Sequence, residues 1–169
     1  GLVRSLEGCT PTDPVGDALR LVLREPVGVV GIITPWNYPL IIGSERTPWA
    51  LGAGCTVVIK PSEFTSGSTL RLGELAREAG MPDGVLNVVT QAPVPAGAIG
   101  ASLVSNAAVR RSNVTGSTNV GRKLAEAAGR HLKRVVLELG GFNPVIVLAD
   151  ADVDYAVNAT AFGAFLHQG

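Results

Sequence analysis

The chain has 169 residues, 46% of them hydrophobic, and its fourteen basic side chains balance fourteen acidic ones. That length supports one sizeable core, and the neutral balance removes the electrostatic case for nucleic acid or an anionic membrane as partner. Two cysteines, Cys9 and Cys55, are too few for a disulfide framework and point to a reducing, cytoplasmic compartment, and two distant histidines form no metal-ligand cluster, so no metal is expected. No signal peptide opens the sequence, no apolar run is long enough to span a bilayer, and Gly1 in place of Met reads as the start of a piece of something longer.

Residues 1–24 read as a connector, punctuated by Pro11, Asp13, Pro14 and Gly16 and closed by a short bridging strand at 19–23. The second segment, residues 25–169, begins with the Val- and Ile-rich run VGVVGII, a strand over 26–33. It stops at Thr34-Pro35-Trp36-Asn37-Tyr38-Pro39, where two prolines exclude regular structure and stiffen the loop. Helical spacing resumes over 40–53, and a buried strand at 56–59 runs into Lys60-Pro61-Ser62-Glu63. A helix over 66–79 stops at Gly80, and strand 85–89, helix 96–104 and strand 109–114 follow. Gly116 opens a helix over 117–129; strands at 134–139 and 144–148 and a helix from 151 to the last residue complete the chain.

This alternation predicts an α/β fold: a wound, mostly parallel, Rossmann-like sheet with helices on both faces. In such sheets ligands bind beyond the carboxyl ends of the strands. Trp36-Asn37, Lys60 to Glu63, Gly116-Ser117 and Glu138 all fall in that position, so four separate loops are expected on one rim.

Glu138 is the pivot of the chemistry. The stretch VVLELGGFN, residues 135–143, carries three β-formers into a carboxylate and then a glycine pair. A carboxylate tucked behind apolar residues there suits a general base; the bland alternative is a cap or an ion pair. Asn37, on its stiff loop, suits a donor to a developing oxyanion, or an Asn bonded to its own turn. Lys60 and Glu63 together suit the vicinal hydroxyls of a ribose, with Glu63 repelling a 2′-phosphate, or form an exposed ion pair.

Gly116-Ser117 through Gly121-Arg122-Lys123 lies between strand and helix, where free amides attract phosphate, or where Ser117 is an ordinary N-cap. It misses the P-loop pattern: the Lys is one place late, and Leu124 stands where a magnesium-holding Ser or Thr belongs. No G-x-G-x-x-G fingerprint exists, since Gly52-Ala53-Gly54 precedes a strand instead of following one. Cys55, before a buried strand with no adjoining cation, reads as a structural thiol, and His131 as a solvated residue at a helix end.

With these residues in place the sequence resembles the NAD(P)-dependent aldehyde dehydrogenase superfamily from Arg24 to Gly169. The motifs EPVGVVGIITPWNYP, GCTVVIKPSE, VTGSTNVG, LELGGFNPVIV, DADVDYAV and FLHQG occur in the family's order. The resemblance implies oxidation of an aldehyde to a carboxylate through a Cys thiohemiacetal and thioester. It assigns the oxyanion donor to Asn37 and water activation to Glu138. It gives the adenosine ribose to Lys60 and Glu63 of KPSE, with Ser62 beside them, and the pyrophosphate to Ser117 with Gly116 and Gly121. Backbone of Ile33, Thr34 and Trp36, with Asn37, then lines the cofactor, and Leu139 lies near the nicotinamide. NAD is the expected cofactor, with NADP disfavoured.

Family members reach their nucleophilic Cys a few residues beyond the HQG-like stretch, which neither Cys9 nor Cys55 matches. The sequence is therefore expected to be the incomplete cofactor domain of a longer, homo-oligomeric enzyme acting on a small aldehyde, and to be inactive alone. Gln91, Val114 and Phe142 depart from residues usual in the family without removing a catalytic role. The rival reading is a non-catalytic nucleotide-binding or structural protein on the same fold. A thioester-forming acyl-CoA type ranks below both, because it dispenses with the Glu that is present at position 138.

Overall fold

The structure, a computed structural model, describes residues 6–92 and 98–166. The chain divides into two compact units, Gly1–Leu139 and Gly140–Gly169. The first holds strands β1 (Val29–Ile33), β2 (Thr56–Lys60), β3 (Leu86–Val88), β4 (Val109–Thr115) and β5 (Arg134–Glu138). Between them run helices α1 (Pro39–Gly52), α2 (Ser66–Glu78), α3 (Ala98–Ser105) and α4 (Thr118–Arg130). The strands form one sheet in the order β3-β2-β1-β4-β5, and every pairing is parallel.

The order follows from how parallel strands must be connected. Each crossover needs a helix laid on a sheet face, and the right-handed sense sends the chain one way from β1 through β3 and the other way through β5. α1 packs with α2 and α3 with α4, so the two pairs cover opposite faces. Two apolar clusters result. Val30, Ile32, Cys55, Val57 and Ile59 pack under Ala50 and Leu51 of α1 and its C-cap Ala53. Ile33, Val104, Val114, Leu124 and Ala128 form the core beneath α3 and α4. Successive residues of β1 thus serve opposite faces, and a strand buried on both reads as the unbroken Val/Ile run seen in the sequence.

Two expected strands are corrected. Residues 19–23 contribute a single antiparallel bridge, Cys9 with Val22, and no strand. Residues 144–148 form no strand either: in the second unit Val145, Ile146, Val147 and Leu148 are all exposed, and no ladder partner lies beside them among the described residues. An apolar run becomes a strand only when a neighbour pairs its amides and carbonyls. That unit's helix α5 spans Val153–Phe165, its start capped by Asp152, whose Oδ1 accepts from the Tyr155 amide at 2.9 Å. The expected helix over 96–104 is α3, its first two positions lying outside the described residues.

Helix α4 holds two glycines with opposite meanings. A Cβ on Gly121 would lie 2.4 and 2.6 Å from Cδ2 and Cδ1 of Leu139, whereas one on Gly129 meets nothing within 4 Å. Gly129→Ala is expected to stabilise by about 0.5–1 kcal/mol through helix propensity alone. Gly121→Ala should forfeit that gain and destabilise by about 1 kcal/mol, because overpacking drives Leu139 off its seat. Urea unfolding of the two variants checks the opposite signs.

Candidate active site

Parallel strands end at one edge, and the register fixes which residues meet there. Ile33 stands beside Lys60 on one side and Val114 on the other, and Thr115 pairs with Glu138. The loops after β1, β2, β4 and β5 therefore rise from one rim, as the alternation implied. The chain reverses its direction of winding between β1 and β4, so residues 34–38 and 116–117 flank the crevice where such sheets take their ligands.

The loop after β1 is held at both ends. The Thr34 amide donates to the Lys60 carbonyl at 3.2 Å, and Pro39 sits in the first turn of α1. Trp36 and Asn37 between them are exposed. Thr34 is 3% exposed, yet its Oγ1 is buried with no hydrogen-bond partner among the described residues. A buried hydroxyl left unpaired costs stability, and one at the crevice is a ready donor or acceptor for a ligand.

After β2, Pro61 and Ser62 are buried, and Ser62 Oγ accepts from the Phe64 amide at 3.3 Å. That turn brings Glu63 back onto Lys60, with Nζ and Oε2 3.4 Å apart and side chains 11% and 18% exposed. Glu63's own backbone amide, and then Lys60, hold its carboxyl below the ordinary value of 4.5 against the opposing effect of burial. The carboxylate is therefore charged throughout the neutral range.

Ser117 is the N-cap of α4: its φ and ψ of −69° and 150° are extended, and its Oγ accepts from the Val120 amide at 3.3 Å. Gly121 donates its amide to the Ser117 carbonyl at 2.9 Å. The amides of Thr118 and Asn119 precede any intrahelical acceptor, and the first turn holds no acidic residue to compete for them. A Cβ on Gly116 would meet nothing within 4 Å, so the approach to these amides is open. Gly121 itself is buried against Leu139, which makes it a packing contact between α4 and the end of β5.

Glu138 departs from expectation. It ends β5 with its side chain 55% exposed, not buried behind apolar neighbours. Val135 and Leu137 point into the core under α4, so Glu138, at odd spacing from them, faces the α1 side. Its main chain is fixed: the Gly116 amide donates to the Glu138 carbonyl at 3.1 Å, and the next residue, Leu139, is lodged on Gly121. Glu138 and Leu139 thus straddle the rim. A residue missed in the sequence, Arg46 of α1, places Nη2 3.6 Å from Glu138 Oε1. Its signal was there: a cation on the helix stripe that carries Gly43, Thr47 and Ala50 against the sheet.

The thiols lie elsewhere. Cys55 is 6% exposed and precedes β2 at the opposite edge of the sheet, and Cys9 is exposed in the N-terminal segment. His131 is the exposed C-cap of α4.

The family model of the aldehyde dehydrogenase family matches residues 1–169. The chain belongs to the aldehyde dehydrogenase family. A vanillin dehydrogenase of a Pseudomonas species is 45% identical over 168 residues, covering 99% of this chain and 35% of the relative. Among solved structures, an NAD-dependent aldehyde dehydrogenase from Sinorhizobium meliloti superposes with a TM-score of 0.87 at 60% identity, over 97% of this chain and 32% of its own. An E. coli NADP-dependent enzyme superposes at 0.88 with 44% identity, over 96% of this chain and 33% of its own. The chain therefore spans about a third of the aldehyde dehydrogenases it matches.

Proposed function

We propose that this chain is the cofactor-binding portion of an NAD-dependent aldehyde dehydrogenase that oxidises a small aldehyde to a carboxylate. The observation that carries the reading is the shared rim, where Ile33, Lys60, Thr115 and Glu138 end four adjacent strands around the switch between β1 and β4. The residues there fit a dinucleotide. Lys60 and Glu63 would hold the adenosine ribose, with Ser62 shaping their turn. Ser117 and the Thr118 and Asn119 amides would meet the pyrophosphate at the positive end of α4. Ile33, Thr34, Trp36 and Leu139 would line the nicotinamide half, the unpartnered Thr34 Oγ1 among them. Bound NAD supplies the hydride acceptor.

In this reading the Asn37 amide donates to the oxyanion formed when a thiolate adds to the aldehyde carbon. Glu138 then takes a proton from water, the hydroxide adds to the acyl carbon, and the carbon–sulfur bond breaks to release thiolate and a carboxylic acid, which gives its remaining proton to solvent as carboxylate. The thiol comes from outside these 169 residues, since neither Cys9 nor Cys55 lies at the rim, so the chain alone is inactive. The full-length enzyme is a homo-oligomer. The test is aldehyde-dependent NADH formation by the full-length protein; none with any aldehyde would favour a non-catalytic nucleotide-binding protein instead.

The choice between NAD and NADP rests on Glu63. Its charge opposes a 2′-phosphate at every working pH, because its carboxyl is held below the ordinary range. Removing one charge at about 4 Å in a solvated site is worth roughly 1 kcal/mol. Glu63→Gln should therefore shift the kcat/KM ratio toward NADP by about fivefold to tenfold, chiefly through KM.

A further inference from the structure

We infer that Arg46 is a positioning residue that orients the Glu138 carboxylate on the α1 side of the rim. The inference rests on the reading of Glu138 as the water-activating base. It starts from a structural cost. Arg46 Nε is buried with no hydrogen-bond partner among the described residues, and Nη2 meets only a half-exposed carboxylate at 3.6 Å. A buried donor left unpaired destabilises a fold, and a half-exposed ion pair returns little. Stability alone does not account for a guanidinium in this place.

Geometry does. Gly43 and Thr47 pin α1 onto the sheet; a Cβ on Gly43 would sit 3.3 Å from Ile59 Cδ1. Arg46, between them, lines a cavity of about 260 Å³ with Trp49 and Ala50 of its own helix, Val30 of β1 and Asn113 of β4. Its side chain thus reaches across β1 and β4 to the end of β5. At that end the main chain of Glu138 is already held through Gly116 and through Leu139, so only the side-chain torsions of Glu138 stay free. One fixed cation on one carboxylate oxygen restricts them and leaves the other oxygen to meet water. The Arg46 guanidinium offers only donors and no acceptor, so it acts on Glu138 as a fixed charge.

The experiment is rapid mixing of the full-length enzyme with aldehyde and NAD, reading the first NADH per site and the following steady state. Arg46→Met should keep the first-turnover amplitude and slow the following phase by up to about 10²-fold, the scale that a misplacement of about 1 Å reaches. Arg46→Lys, which keeps the charge, should recover most of that rate. In the Glu138→Gln background, Arg46→Met should add nothing further. Full steady-state turnover in Arg46→Met, equal losses of amplitude and steady state, no recovery by Lys, or additive losses in the double variant would each overturn the inference. Undiminished turnover by Glu138→Gln alone would instead overturn the assignment of the base.

Discussion

Glu138→Gln in the full-length enzyme is expected to lower steady-state aldehyde oxidation by about 10²–10⁴-fold, the usual contribution of a positioned general base. The first equivalent of NADH should form at close to the normal rate, because hydride leaves the thiohemiacetal before water is needed. The substitution keeps the shape of the side chain and leaves the Gly116 amide on the residue 138 carbonyl, so the rim survives. What changes is proton acceptance: an amide cannot take the proton that water must lose. Glu138→Asp keeps the carboxylate but withdraws it by one methylene from a site 3.6 Å from Arg46, and should fall between the two. Rapid-mixing fluorescence of NADH with acid-quench detection of the acyl enzyme checks both steps. Unchanged steady-state turnover in Glu138→Gln would remove this residue from the mechanism.

The legibility of the sequence divides along the same lines as its physics. β1 and β2 were readable because a parallel strand buried on both faces favours an unbroken apolar run, and few other contexts tolerate one. The same signal misled at 144–148, where Pro144-Val145-Ile146-Val147-Leu148 has strand composition but no pairing neighbour among the described residues. Composition reports what a residue tolerates on burial, not whether a ladder awaits it. Glu138 was misread for a related reason. Its neighbours in sequence are apolar, but alternate residues of a strand face opposite ways, and the last residue at a rim opens to solvent. Gly121 looked like part of a phosphate loop, yet its missing Cβ makes room for Leu139, a contact between elements that no local pattern encodes. Arg46 was legible only as a charge out of place on a buried helical stripe. Its partner, far along the chain, is set by the strand order.

Asn37→Ala is expected to cost about 10²–10³ in kcat, the loss typical of one oxyanion donor, with little change in NAD affinity. Pro35 and Pro39 bracket the loop, the Thr34 amide is tied to the Lys60 carbonyl, and the Ile42 amide of α1 donates to the Tyr38 carbonyl at 3.2 Å. An amide group carried on such a loop costs little reorganisation when charge develops on the substrate oxygen, which is why removing it is expensive. Asn37→Asp sharpens the case, since it preserves size but swaps the donor for a negative charge; it should be at least as slow as Ala. Here the first NADH itself must slow, because the donor acts when the tetrahedral oxyanion forms, ahead of hydride transfer. The Glu138 and Asn37 variants should thus cut the reaction on either side of the thioester, one sparing the first turnover and the other slowing it. Retention of a full first turnover in Asn37→Ala would mean that the oxyanion is held by other groups, and the stiff loop after β1 would then serve only to shape the crevice.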